Sequence, residues 1–354
     1  MSSLVAAIWL VSAGGETVRA DPPAPGFVGS PWRFAVLSDL HISPGGAIPP
    51  VLDHVVTEVI AARPRFVVIT GDFTDGNEWD PPWRVREAPL WWQSALRVTA
   101  RFRSAGIPVL PIAGNHDSYL SIYREDYAEA WRDLELWASP LHVAGRPRRS
   151  GVAVDALPFC YGVDVDDVHL TLAYIVDEAL EPGVASWIAD DLAAAQGARL
   201  RIVFGHVPMS SIVAIPSRSF VSSLGHLLDK GRANLYVAGH EHLYWNEDIS
   251  RTEGRPIHQV IVGTASAPWW FAPSAASRER AHCSYVGEQA CCEMPYDQTR
   301  FELHRDHGHW LESDPYTFAL FTVDGEQVTT HAVTVSRFGA AEPLSRSHLC
   351  DDHP

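Results

Sequence analysis

Five short blocks of the chain carry groups that could hold metal ions. Asp39 and His41 lie in SDLH, Asp72 in GDFTD, Asn115, His116 and Asp117 in GNHD, His206 in GHVP, and His240 with His242 in GHEH. The set offers carboxylates, an amide and imidazoles, and no thiolate. Such donors suit Mn, Fe, Zn or Co better than Cu(I) or the all-oxygen cage that calcium prefers. Asp39, His41, Asp72, Asn115, His206, His240 and His242 are too many for one tetrahedral zinc and enough for two ions that share a ligand. Two metals ~3.5–4 Å apart clamp the attacking and leaving oxygens of an in-line displacement, and they lower the pKa of a bound water until hydroxide is available near neutrality. Each block alone has a structural explanation, such as a helix cap at Asp72 or a hydrogen-bonded surface imidazole at His116. Five in succession do not, because independent caps have no reason to supply carboxylates and imidazoles in this order.

The blocks sit where apolar runs stop. RFAVLSDLH (33–41), RFVVITGD (65–72) and IPVLPIAGNHD (107–117) read as strands that end on the polar residues. Between them, VLDHVVTEVIAARP places apolar residues at 51, 52, 55, 56, 59 and 60, the stripe of a packed helix, and residues 90–106 read as a second helix. Continuously apolar strands alternating with helices imply a parallel βαβ core covered on both faces. In the second half, 168–177, 200–208, 233–242 and 258–266 read as strands. Residues 183–197 read as a helix closed by Gly197, and 317–335 as a hairpin turning at Asp324-Gly325. In an open α/β sheet the loops at the carboxyl ends of the strands converge on one crevice. Five strands thus deliver Asp, Asn and His to one shared edge.

Composition bounds the partners. With 354 residues, 46% of them hydrophobic, the chain is long enough for one large domain or two modest ones, and a formal charge of −16 at pH 7 disfavours general binding to phosphate backbones. Residues 1–20 hold a short apolar stretch, Leu4 to Val11, followed by Val18 and Ala20, and read as a signal peptide of an exported protein, though without a basic leading region. The stretch is too short to span a bilayer, and no later segment looks transmembrane. Residues 21–32 read as a Pro- and Gly-rich linker. Of five cysteines, Cys283, Cys291, Cys292 and Cys350 are candidates for one or two disulfides within 283–350, whereas Cys160 reads as a buried thiol.

The order DxH, GDxxD, GNHD, GHxP, GHxH resembles the calcineurin-like metallophosphoesterases, over residues 33 to about 270. The resemblance implies an α/β (α+β) four-layer sandwich, two central mixed β-sheets flanked by helices, as a single domain over 33–340 with a tail at 341–354. It implies a dinuclear centre of divalent or trivalent transition-metal ions, Fe, Mn or Zn. Asp39, His41, Asp72 and His242 would bind one ion; Asp72, Asn115, His206 and His240 would bind the other, with Asp72 as the bridge. His116 would steady the phosphate or protonate the leaving oxygen, and Asp117 would orient His116. The implied activity is hydrolysis of small-molecule phosphate esters by metal-bound hydroxide. The alternatives are a diesterase on cyclic nucleotides or glycerophosphodiesters and, in another class, a catalytically silent metal-binding domain, which would have no need of His116 and Asp117.

GHEHLYWNEDI…HQVIVGTASAP is similar to purple acid phosphatases and their relatives, with cyclic-nucleotide phosphodiesterase-like members also near. Purple enzymes carry a tyrosine at the last position of GDxxY, where this chain has Asp75, so an Fe(III)–tyrosinate centre is not expected. About half of the aromatic residues Trp79, Trp83, Trp91, Trp92, Trp269, Trp270 and Phe271 are expected to pack, and Trp269 and Trp270 could line an apolar leaving-group pocket. HRDHGHW (304–310) reads as an exposed or capping loop. Oligomeric state is not legible in the sequence.

Overall fold

Alternation along each apolar strand decides which way its side chains face, because successive residues point to opposite sides of a sheet. In the computed structural model the structure describes residues 17–19, 30–42, 44–147, 153–213, 216–249, 256–263, 265, 269–274, 282–286, 289–297, 316–325 and 327–335. The first half contributes β1 (Thr17–Arg19), β2 (Trp32–Leu37), α1 (Pro50–Ala62), β3 (Val67–Ile69), α2 (Pro82–Val85), α3 (Ala88–Ser104), β4 (Val109–Pro111), α4 (Ser121–Ala130) and α5 (Leu134–Ala138). There follow β5 (Val143–Ala144), β6 (Tyr161–Val165), β7 (Val168–Leu172), α6 (Pro182–Ala194), β8 (Leu200–Phe204), α7 (Arg218–Lys230) and β9 (Leu235–Ala238). The remainder is β10 (Trp245–Ile249), β11 (Ile257–Ile261), β12 (Trp269–Ser274), β13 (His282–Val286), β14 (Gln289–Asp297), β15 (Thr317–Asp324) and β16 (Gln327–Thr334).

Two mixed sheets result. The first runs β1-β16-β15-β2-β3-β4 and the second β10-β11-β9-β8-β7-β6-β5, with parallel cores at β2-β3-β4 and at β11-β9-β8-β7. Phe34, Val36, Val68 and Leu110 of the first sheet face Leu170, Leu172, Ile202, Phe204, Leu235 and Val237 of the second in one apolar layer. Phe34 lies at its centre, stacked on Phe321 at 4.8 Å and edge-on to Phe204 at 6.2 Å. The intervening residues Ala35, Leu37, Val67, Ile69 and Val109 turn outward to the apolar stripes of α1 and α3, and Val203, Tyr236 and Ala238 turn out on the second sheet's side, where α6 packs on β7 and α7 on β11. This is the four-layer arrangement that the resemblance implied. Leu134 and Ala138 of α5 join the layer between the sheets, closing its edge beside β4 and β5.

Most elements expected from periodicity are present and shorter. Val51, Leu52, Val55, Val56 and Val59 form the buried stripe of α1. The strand read at 65–72 is regular only over Val67–Ile69. The Gly71 and Asp72 carbonyls still accept from the Asp39 and His41 N–H groups, but Gly71 (φ 106°) and Asp72 (φ 53°) turn out of the extended conformation to form the site. Helix α3 begins two residues earlier than read, with Pro89 in its first turn. Gly197 does not close α6, which ends at Ala194 when the Ala195 N–H reaches the Asp191 carbonyl. The hairpin at 317–335 turns at Asp324-Gly325 as read, with Gly325 at φ 54°. Trp91 and Trp92 are buried and Trp79 and Trp83 exposed. Cys160 is buried, and its Sγ accepts from the Tyr174 N–H.

Within the segment read as a leader, Thr17–Arg19 pairs with Gln327–Thr329 of β16 as an edge strand. Strands β12, β14 and β13 form a small third sheet in which Cys283 and Cys292 are backbone partners. The side chains of Trp269, Trp270, Cys283, Cys291 and Cys292, and residues 304–310 and Cys350, lie outside the described residues. Among the described residues no helix is long and apolar enough to cross a membrane.

Candidate metal centre

The polar strand ends meet across both sheets. Asp39 and His41 follow β2, Asp72 follows β3, and Asn115, His116 and Asp117 follow β4, all in the first sheet. His206 follows β8, and His240 and His242 follow β9, in the second. The crevice expected at one sheet edge is therefore a seam between two sheets. The seam is stitched at Gly239, where an added Cβ would lie 1.8 Å from Ser38 Oγ, and the neighbouring His240 N–H donates to Asp39 Oδ2 at 3.1 Å.

The backbone at these ends is strained. Asp39 (φ 56°), His41 (43°), Asp72 (53°), His240 (74°) and His242 (50°) all lie in the left-handed region, five of the eight non-glycine residues that do so among the described residues. Each such conformation costs about 1–3 kcal/mol and persists only where surrounding contacts over-determine it. Asp and His tolerate it better than branched residues do, so the same residue types serve the backbone and the chemistry.

Three overlapping sets of donor atoms converge: Asp39, His41 and His242; His41, Asp72 and His116; and Asp72, His206 and His240, each within 4.8 Å. Asp72 Oδ2 lies 3.2 Å from His206 Nε2, 3.5 Å from His41 Nε2 and 4.0 Å from His116 Nε2. Asp39 Oδ1 lies 3.5 Å from His242 Nε2 and 3.9 Å from His41 Nε2, and the last two nitrogens are 3.1 Å apart. Asn115 Oδ1 stands 2.8 Å from His206 Nε2 and 2.9 Å from His240 Nδ1.

Tautomers follow from the far side of each ring. His206 Nδ1 is 2.7 Å from the Thr70 carbonyl and His116 Nδ1 is 2.6 Å from the Gly76 carbonyl, so both must carry hydrogen there. In the neutral rings each Nε2 then turns a lone pair towards the carboxylates. Lone pairs of imidazole, amide and carboxylate converging in a buried volume fit a cation, which satisfies all of them at once. Protons are the substitute. Burial opposes charge on His41, but the Asp75 hydrogen bond and the charges of Asp72, Asp75 and Asp39 raise it to about 9. Burial likewise opposes charge on His206, and Asp72 and Asp39 raise it to about 9. Burial and the charge on His206 push His240 down to about 3.

Several positioning contacts were not legible beforehand. Asp75, one-third exposed, sets Oδ1 3.4 Å from His41 Nδ1 and holds Arg84 Nη2 at 2.7 Å through Oδ2. Arg84 also reaches Asp80, whose Oδ2 accepts from Tyr123 Oη at 2.6 Å. Tyr119 Oη accepts from Asn115 Nδ2 at 2.6 Å, which turns Oδ1 of that amide inward. The spacing of Asp72 and Asp75 held the only sequence signal for these contacts.

The role expected of Asp117 is corrected. Its carboxylate is buried and accepts from the backbone N–H groups of Phe73, Thr74 and Gly114 and from Thr74 Oγ1, at 3.0–3.2 Å. With those donors engaged it clamps the β3 and β4 loops together, and the Gly76 carbonyl orients His116 instead.

The sequence model of the calcineurin-like phosphoesterases matches residues 33–244. No curated protein matches the chain significantly. Among solved structures, the chain is similar to GAP50, the anchor in the inner membrane complex of Plasmodium, at 14% identity and TM-score 0.48 over 86% of this chain and 89% of that one. It is similar to a dimetal phosphatase from Danio rerio at 11% identity and TM-score 0.46, over 86% and 99% of the two chains. A third is the NAD nucleotidase of Haemophilus influenzae, at 11% identity and TM-score 0.44, over 90% of this chain and 54% of that one. The family match spans all of the strand ends from β2 to β9, and the chain belongs to the calcineurin-like phosphoesterases, hydrolases of phosphate esters that work with divalent metal ions.

Proposed function

We propose that the protein hydrolyses small-molecule phosphate esters at a dinuclear centre in which Asp72 is the shared ligand. The observation that carries this reading is the position of Asp72 Oδ2, within 3.2–4.0 Å of imidazoles on both sides of the seam. Asp39, His41 and His242 would complete one ion's set, and Asn115, His206 and His240 the other's. Bound divalent cations supply charge for the phosphoryl oxygens and acidify a water for attack.

The chain's own contribution is orientation and a proton. His116 is about a fifth accessible, and its Nδ1–H on Gly76 leaves Nε2 facing the site. Burial lowers its pKa, with Asp72 pulling the other way. The negative charge of an arriving phosphate favours the protonated ring, which can then donate from Nε2 to the leaving oxygen. Asn115, held by Tyr119, stays fixed beside it.

Metal analysis and turnover of Asp72→Asn test the reading. Loss of metal together with rate is expected, because one ligand serves both ions. Two full equivalents of metal in an inactive variant would contradict the shared role.

A further inference from the structure

Five large apolar side chains that stay exposed come from two neighbouring segments beside the site: Trp79, Trp83 and Leu90, and Tyr119 and Ile122. Trp79 is 83% exposed and Trp83 55%, high values for residues with so much to gain from burial. The segments are held together. Gly76 sits against the His116 carbonyl and the Tyr123 ring, Asp80 accepts from the Asn77 N–H and from Tyr123 Oη, and Arg84 ties Asp75 to Asp80.

Tyr119 connects this patch to the chemistry. Its hydroxyl holds Asn115, its ring meets His116 edge-on at 5.2 Å, and 42% of it remains exposed. A group leaving past His116 therefore has the Tyr119 ring on one side, and the segment that begins at Gly76, whose carbonyl orients His116, carries Trp79 and, in α2, Trp83. Resting on the reading of His116 as the group on the leaving side, we infer that Tyr119, Trp79 and Trp83 form a specificity subsite for a phosphoester whose leaving group is a planar, aromatic moiety. Aromatic faces of this kind stack on flat rings without reading hydrogen bonds. The −16 charge of the chain disfavours long polyanionic substrates, leaving a single ester with one aromatic group as the fitting class.

The test uses metal-loaded full-length protein and two non-hydrolysable probes, benzylphosphonate and methylphosphonate, titrated calorimetrically, with p-nitrophenyl phosphate turnover measured in parallel. Wild-type protein is expected to bind the benzyl compound roughly tenfold more tightly, and Trp79→Ala/Trp83→Ala to lose most of that preference while its methylphosphonate affinity stays unchanged. Both side chains are solvent-exposed, so the variant keeps its core. Equal affinities in the wild type, with p-nitrophenyl phosphate still turned over, would overturn the subsite and leave the hydrolase reading standing. An undiminished preference in the variant would overturn it too. A concentration-dependent dimer dissolved by the same substitutions, with unchanged phosphonate affinities, would assign the patch to a second copy instead. No binding of either probe and no turnover would overturn the hydrolase reading, and the subsite with it.

Discussion

Gly114→Ala changes one hydrogen to a methyl group and should disable the centre. An added Cβ would lie 2.0 Å from Asp72 Oδ1, 2.3 Å from Asp72 N and 2.8 Å from Asp72 Cγ. Contacts below 3.0 Å are essentially unseen for real Cβ atoms, so Asp72 must retreat by about 1 Å. It has little room. Oδ1 accepts from the His116 N–H at 2.9 Å, and the residue is held at φ 53°. A displacement of that size moves Oδ2 relative to three imidazoles, and misplacement by about 1 Å typically costs ~10²-fold in rate. Overpacking should also cost about 1–3 kcal/mol of stability. Turnover of p-nitrophenyl phosphate, metal content and a denaturant melt together measure these effects. Gly106→Ala is the control: Gly106 has φ 76° and open space around it, so the variant should lose about 1–2 kcal/mol of stability and no activity. Full activity and full metal content in Gly114→Ala would refute the argument that close approach at β4 positions the shared carboxylate.

Three further outcomes are expected. His116→Ala should slow alkyl phosphate esters by ~10²–10⁴-fold while losing much less on p-nitrophenyl esters, whose leaving group needs no proton; equal losses on both would assign His116 to phosphate binding. Metal-loaded protein should lack a strong visible charge-transfer band, since Asp75 stands where purple enzymes have tyrosine and the Tyr244 hydroxyl is committed to Thr330 Oγ1 at 3.1 Å; an intense band surviving dialysis would mean that a phenol such as Tyr119 reaches the metal. Away from the site, burial opposes charge on His169, but Asp191 and then Asp164 outweigh it and raise its pKa above the ordinary 6.5. The raised folded value means that this stabilisation is complete below pH 6.5 and fades as pH rises through the folded pKa. Denaturant melts of wild type and His169→Gln should therefore differ more at pH 6 than in alkaline solution, and a constant gap across pH would refute the linkage.

The sequence by itself determined the residue types of the centre and the strands that carry them. Apolar runs stopping on Asp39, Asp72, Asn115, His206 and His240 are local features, and a strand buried on both faces must end where its polar residues begin. The same alternation also determined the two faces of each sheet. Only the tertiary structure decided how those ends are used. That the centre spans two sheets, that Asp117 binds the backbone of residues 73, 74 and 114 rather than the His116 ring, and that carbonyls of Thr70 and Gly76 select the imidazole tautomers all depend on contacts between residues 3 to 136 positions apart. Asp117 shows why adjacency misleads. At a strained turn, neighbouring side chains diverge, and a carboxylate is claimed by whichever N–H groups the packed loops bring to it.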